Sequence, residues 1–254
     1  MKEILDATKD LSKEIYTDLL HPTASHLGLT IGELVKTLLI PFSVPSKMIN
    51  IRFDNWVNRI SNEVKSENLV EATPNITIPT IQNLALNPDD TILGEMFFNI
   101  LKASVDKTKK KFLSPAFPKL LEQLTRDECV FILLLNKKNY KIHHIDDYDD
   151  KKNVFFNRRA EIDELPKNFF DFPENIWIYS EHLNHLNLAG CWQYKQQEPI
   201  FADEETKETN GAFSQTYHKQ IGIRTFSEFK LTEFGKMFAE VCITDKCEEF
   251  LVNK

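Results

Sequence analysis

Histidines and acids crowd one short stretch, "HHIDDYDD" at residues 143 to 150. His143, His144, Asp146 and Asp147 carry nitrogen and oxygen donors of the kind divalent cations accept. Adjacent side chains on an extended backbone point to opposite sides, so the two histidines cannot both ligate one ion without a distortion. No third histidine or cysteine stands at a metal-site spacing. The stretch therefore reads as a solvated acidic loop, and the sequence calls for no metal and no cofactor. Cys129, Cys191, Cys242 and Cys247 also lack zinc spacing, and three of them sit in apolar or helix-like segments, where a thiol behaves as a small hydrophobe. His182 and His185 stand three apart on a predicted helix and suit a polar face better than a ligand pair. No Ser, Cys and His arrangement occupies a recognisable turn, and the 7 glycines build neither a Walker-type loop nor a dinucleotide fingerprint. No catalytic residue is assigned, and the expectation is a protein that is not an enzyme.

The other chemistry-bearing stretch is "FFNILKASVDKTKKKFLSPAFPKLLEQLTRDECVFILLL", residues 97 to 135. Asp106 follows a predicted helix C-terminus, where an acid opposes the dipole while Lys107, Lys109, Lys110 and Lys111 complement it. A structural role has Asp106 bonding a backbone donor across the break or pairing with a cation. A functional role makes the four lysines a patch for an anionic surface, either lipid headgroups or a phosphate backbone. Short lysine runs are usually solvated faces. Pro115 punctuates the break, and Thr125 with Glu128 three residues on has the reciprocal capping pattern that starts a helix. The whole stretch reads as a seam between a helix end and the next layer.

The elements that must hold these residues follow from spacing. Leu5, Leu11, Ile15, Leu19 and Leu20 form one helical stripe that ends at His21-Pro22. A second helix is expected over Thr30 to Leu39, and a third over residues 50 to 70 from Phe53, Trp56, Val57, Ile60 and Val64. "EATPNITIPTIQNLAL" carries Pro74 and Pro79 among β-branched residues and reads as an extended connection. Asp89 or Asp90 is expected to cap a fourth helix running to Val105. Beyond Pro115 come a short helix from Ala116 to Gln123, the buried run "CVFILLL", and a charged surface excursion at 137 to 170. A helix from Glu174 to Leu188 is expected to stop at Gly190 in a left-handed cap. "CWQYKQ" then alternates like an edge strand. The acidic insertion "ADEETKETNG" leads to a returning strand in "SQTYHKQIGIRTFSEFKLT", and a last helix begins at Thr232.

Helix, helix, strand, wing and strand give a mainly α fold class: a helical N-terminal region over 1 to 114, then a winged helix-turn-helix-like C-terminal module over 115 to 254 with a small β-hairpin. The chain has 254 residues, 42% hydrophobic and 27% charged, which suits a globular protein with its own core. Its net charge of -7 disfavours polyanions, and the predicted reading helix offers Asn175, His182, Asn184 and His185 but no Arg or Lys. Nucleic acid is therefore a disfavoured partner. "LGLTIGELVKTLLIPFSVPSKMI", residues 27 to 49, is broken by Glu33, Lys36 and two prolines, short of the ~18 apolar residues a span needs. It suits a core helix, and lying on an anionic membrane surface stays open. Met1 to Leu20 is charged throughout, so no secretion signal is read there, and the expected location is cytoplasmic or peripheral at a membrane. The 19 phenylalanines include Phe155, Phe156, Phe169, Phe170 and Phe172 in the charged excursion, where burial is hard to complete within one chain.

Three blocks, "LGLTIGELVKTLLIPF", "DDTILGEMFFNILKASVDKTKKKFLSPAFPKLLEQLTRDE" and "LTEFGKMFAEVC", resemble the Abi-alpha family, named for abortive infection. The middle block carries the signature: a helix ending in Ser-x-Asp, a break, Pro-x-Phe, then a Leu-Thr-x-x-Glu helix start. The lysines at 107 and 109 to 111 and the long 137 to 170 segment depart from the pattern. The resemblance implies a bacterial role in limiting phage propagation and brings no catalytic residues. With it, the expected partner is another protein or a second copy of the chain, and no small-molecule substrate is identified.

Overall fold

The stripe read over residues 50 to 70 is a helix in the computed structural model of the chain, which describes residues 46–206 and 215–251. In α1 (Ser46–Glu63) the side chains of Phe53, Trp56 and Ile60, followed by Val64, turn inward at steps of three and four and are at most 5% exposed. The expected helices over Leu5 to Leu20 and Thr30 to Leu39 lie outside the described residues. So do the 27 to 49 segment up to residue 45 and the acidic insertion beyond Thr206. By contact, the described chain divides into two units: residues up to Cys129 with those from Met237, and Val130–Lys236.

The first unit is helical. α2 (Pro74–Leu86) corrects the extended connection expected there. Pro74 is harmless at the first turn, but Pro79 sits inside the helix, where the missing N–H and the ring clash cost about 3 kcal/mol. Burial of Ile76, Ile81 and Leu84 at helical spacing outweighs that penalty, each side chain being worth roughly 1.5–3 kcal/mol. The hydroxyls of Thr77 and Thr80 donate to the carbonyls four residues back, at 3.1 and 2.6 Å. α3 (Ile92–Ser104) is buried nearly all round and is the centre of this unit. Its cap is Thr91, whose Oγ1 accepts from Gly94 N at 3.0 Å. Asp89, one of the acids expected in that role, instead takes Arg52 Nε and Nη2 at 3.0 and 2.8 Å and Trp56 Nε1 at 2.9 Å. Gly94 is required by close approach, since a Cβ there would lie 2.0 Å from Pro88 O. α4 (Phe117–Leu121) sets Phe117 edge-on to Phe238 at 5.2 Å between centroids.

α5 (Arg126–Lys137) leads into the second unit, where the expectation of a mainly α protein is overturned. β1 (Tyr140–Asp149), β2 (Val154–Asp163), β3 (Ala189–Thr206) and β4 (Gln215–Leu231) form one antiparallel sheet in the order β2-β1-β4-β3. The 137 to 170 excursion is thus mostly a hairpin. Its turn is held by Asp149 Oδ1, which accepts from Lys151 N at 3.0 Å, and by Asn153 at φ 53°. The small hairpin of a winged module is corrected as well: β3 and β4 are 18 and 17 residues long, and β4 is an interior strand that also pairs with β1 from Tyr140↔Phe229 to Asp147↔Gly222. Past that point β3 and β4 continue as a two-stranded arm to Thr206↔Gln215. The edge position expected for "CWQYKQ" holds.

α6 (Ile176–His185) ends earlier than expected. The left-handed residue after it is Asn187 at φ 58°, while Gly190 is already in β3. Phe229 is the hub of this core, 5.3 Å from Phe131 and 5.3 Å from Trp177, with Phe170 5.8 Å from Phe131. α7 (Glu233–Cys242) starts as expected at Thr232, whose Oγ1 accepts from Gly235 N at 2.8 Å.

Candidate binding surface

At the junction each singled-out residue has a local partner. Asp106 Oδ1 accepts from Thr108 N at 2.8 Å and Thr108 Oγ1 at 2.7 Å, so the acid closes a turn over the helix end. Lys107 Nζ donates to Glu67 O at 2.7 Å, Lys109 Nζ to Glu240 Oε1 at 2.6 Å and Lys110 Nζ to Glu71 O at 3.5 Å. Lys111 Nζ lies 4.6 Å from the Phe112 ring centroid. Three of the ammonium groups thus reach the Glu67 and Glu71 carbonyls and the Glu240 carboxylate, and the fourth lies by its neighbour's ring. Pro115 is exposed in the turn before α4. Thr125 and Glu128 make the reciprocal pair: Thr125 N donates to Glu128 Oε2 at 2.7 Å and Glu128 N to Thr125 Oγ1 at 3.3 Å.

The histidine and aspartate cluster lies on β1, and its members are drawn apart. His143 contacts the Tyr194 hydroxyl through Nε2 and packs 5.0 Å from Phe226. His144 faces Trp177 at 5.6 Å, and burial, aided by Arg158, holds its imidazole below the usual range. Asp146 accepts from Arg158 at 2.9 and 3.0 Å. Asp147 accepts from Arg159 at 2.8 and 2.7 Å and from Asn157, and these bonds pull its carboxyl down to about 2. These are ion pairs that lock β1 to β2, and among the described residues no group of three metal-ligating side chains forms.

On α6 the Ile176, Tyr179 and Leu183 side chains are buried while Trp177 and Ile178 are exposed, so the first turn of this helix presents an apolar surface. His182 is half-buried, and Asn184 and His185 are exposed. Asn175 N donates to Phe172 O at 3.1 Å in the turn before the helix.

The surface that sequence reasoning missed is β2. It is an edge strand, and nine of its ten residues are exposed along its length. Val154, Phe155, Phe156 and Ile162 are between 42% and 52% exposed. Phe155 and Phe156 are successive, so each face of the edge carries a phenylalanine. Phe155 is partly supported by Tyr148 at 4.9 Å. Phe172 and Ile178 add exposed apolar area in the same unit, whereas Phe170 is in the core. The phenylalanine content of the segment was a usable signal; the strand itself was hidden by its charges, because Arg158, Arg159 and Glu161 resemble a loop when their strand partners are unknown.

Among the described residues no helix is long and apolar enough to cross a membrane. The family model described as abortive infection alpha matches residues 49–242 of this chain. No curated protein and no solved structure matches it.

Proposed function

This chain belongs to the abortive infection alpha family, a membership that supports a role of the abortive-infection kind, and we propose that it plays that role in bacterial defence against phage by binding a partner protein, not by catalysing a reaction. The observation that carries the reading is β2. An edge strand offers a row of unpaired N–H and C=O groups, a template onto which a further strand can pair. This one is 10 residues long with apolar side chains on both faces. An extended segment of a partner would add as a fifth strand, its backbone supplying affinity and the Phe155 and Phe156 flanks supplying selectivity. Bulges between His143 and His144 and between Ile145 and Asp147 restrict which register such a strand can take.

Replacing Phe155 and Phe156 together by Ser is expected to leave thermal unfolding cooperative, since both side chains are about half exposed. The same change is expected to abolish protection of the host in a plaque assay. A photo-crosslinker placed at Phe155 should trap one defined protein adduct in infected cells, with twice the chain mass if the partner is a second copy. Undiminished protection by the double variant would overturn the reading.

A further inference from the structure

Asn55, Asn58 and Asn62 stand at three- and four-residue steps on α1, so their carboxamides share one face of the helix with Arg59. That face lines a cleft of about 370 Å³ in the first unit, completed by Trp56, Asp89 and Lys246. Three other asparagines of this unit are bonded internally: Asn83, Asn87 and Asn99 donate to Pro79 O, Asn83 O and Cys242 O at 2.9 to 3.0 Å. Among the described residues, the side chains of Asn55, Asn58 and Asn62 have no such partner. Asparagine is a weak helix former, because its carboxamide competes for backbone groups, and none of these three caps α1. Three of them side by side cost helix stability, and among the described residues no contact offsets that cost.

The charges beside them are held in place from below. Glu95 is 1% exposed and accepts from Arg59 Nη2 at 2.7 Å through Oε1. Lys246 Nζ forms an ion pair with Oε2 at 3.1 Å, and an ammonium with three donors keeps two for a further partner. Asp89 is already answered by Arg52, and Glu63 by Lys102 at 2.6 Å and by Arg59 Nε at 3.5 Å, so Arg52, Arg59, Lys102 and Lys246 face Asp89, Glu63 and Glu95. The four cations exceed the three acids by one positive charge, beside the three amides.

We propose that this cleft is a binding site for a small molecule that joins one phosphate group to a hydrogen-bonding body, the class of sugar phosphates and mononucleotides. Lys246 and Arg59 take the phosphate, and the three carboxamides, each with two donors and an acceptor oxygen, take hydroxyls or base edges. The volume falls in the range that such ligands fill. The site lies in the first unit and is independent of β2.

The test uses the full chain and calorimetric titration with adenosine 5′-monophosphate, ribose 5-phosphate, adenosine and inorganic phosphate. Saturable binding of a phosphorylated compound, absent for adenosine, is expected. A nucleotide tighter than ribose 5-phosphate by about tenfold assigns a nucleotide, and equal affinity assigns a sugar phosphate. The triple variant Asn55→Ala, Asn58→Ala, Asn62→Ala is expected to melt at a higher temperature and to bind at least about tenfold more weakly, a combination that a purely structural role would not produce. Lys246→Gln should lower affinity while keeping the fold. No saturable binding of either phosphorylated compound, inorganic phosphate binding as tightly as both, or unchanged affinity in the triple variant would each overturn the proposal.

Discussion

His144 shows how one buried side chain writes a pH dependence into this fold. Its surroundings include Trp177, Arg158, His143 and the acids Asp146 and Asp163, and burial leads in holding its pKa below 6.5. The unfolded chain therefore takes up the proton first as pH falls through 6.5, and the folded state loses stability until the buried ring itself titrates. Below that point the loss levels off. The difference in melting temperature between wild type and His144→Gln is expected to change with pH just below 6.5 and to be flat above it; a difference independent of pH would contradict the assignment. Asp147 behaves in the opposite range, since its bonds to Arg159 and Asn157 persist until the carboxyl is protonated near pH 2. At this scale the sequence was a good guide to Thr125, Glu128 and Thr232, whose capping bonds are local. It was a poor guide to Asp89, whose partner Arg52 is 37 residues away.

Among elements, α2 is the one whose local chemistry and tertiary setting disagree. Two prolines and five β-branched residues argue against a helix, and the buried face of Ile76, Ile81 and Leu84 decides for one. Pro79→Ala should then stabilise the protein, because it restores the backbone donor for Asn75 O and removes the ring clash. The gain is expected to be about 1–3 kcal/mol in denaturant unfolding, and a loss of stability would mean that the proline is needed for the bend it imposes. β2 is the opposite case. Its residues have strand propensity at Val154, Phe155 and Phe156, but nothing in the strand is buried enough to show the two-residue period that marks a half-buried strand. Only pairing with β1, through Asp146–Arg158 and Asp147–Arg159, reveals it.

For the whole molecule, net charge and surface character separate the classes of partner. The net charge of -7 and, among the described residues, an α6 surface showing Trp177 and Ile178 in place of Arg or Lys both disfavour a duplex. No shift of duplex DNA is expected in a gel assay even at about 50 mM salt, where counterion release favours binding most. A salt-dependent shift would redirect attention to the lysines at 107 to 111. The apolar edge of β2 and the polar cleft on α1 belong to different units and make separate claims, so loss of one activity by mutation should leave the other intact.

By itself the sequence determined what is settled within a few residues: the stripe of α1, the caps at Thr125 and Thr232, the start of α7, and the two family blocks that lie within residues 49–242. The tertiary structure decided what depends on distant partners. β1 pairs with β4 at Tyr140↔Phe229, 89 residues apart in the chain, so neither strand can announce the other through local spacing. The sheet, the exposed edge at β2, the helix over two prolines and the amide-lined cleft all follow from which segments meet. Burial and backbone pairing are free energies of contact, and contact between remote segments leaves only a faint mark on either one alone.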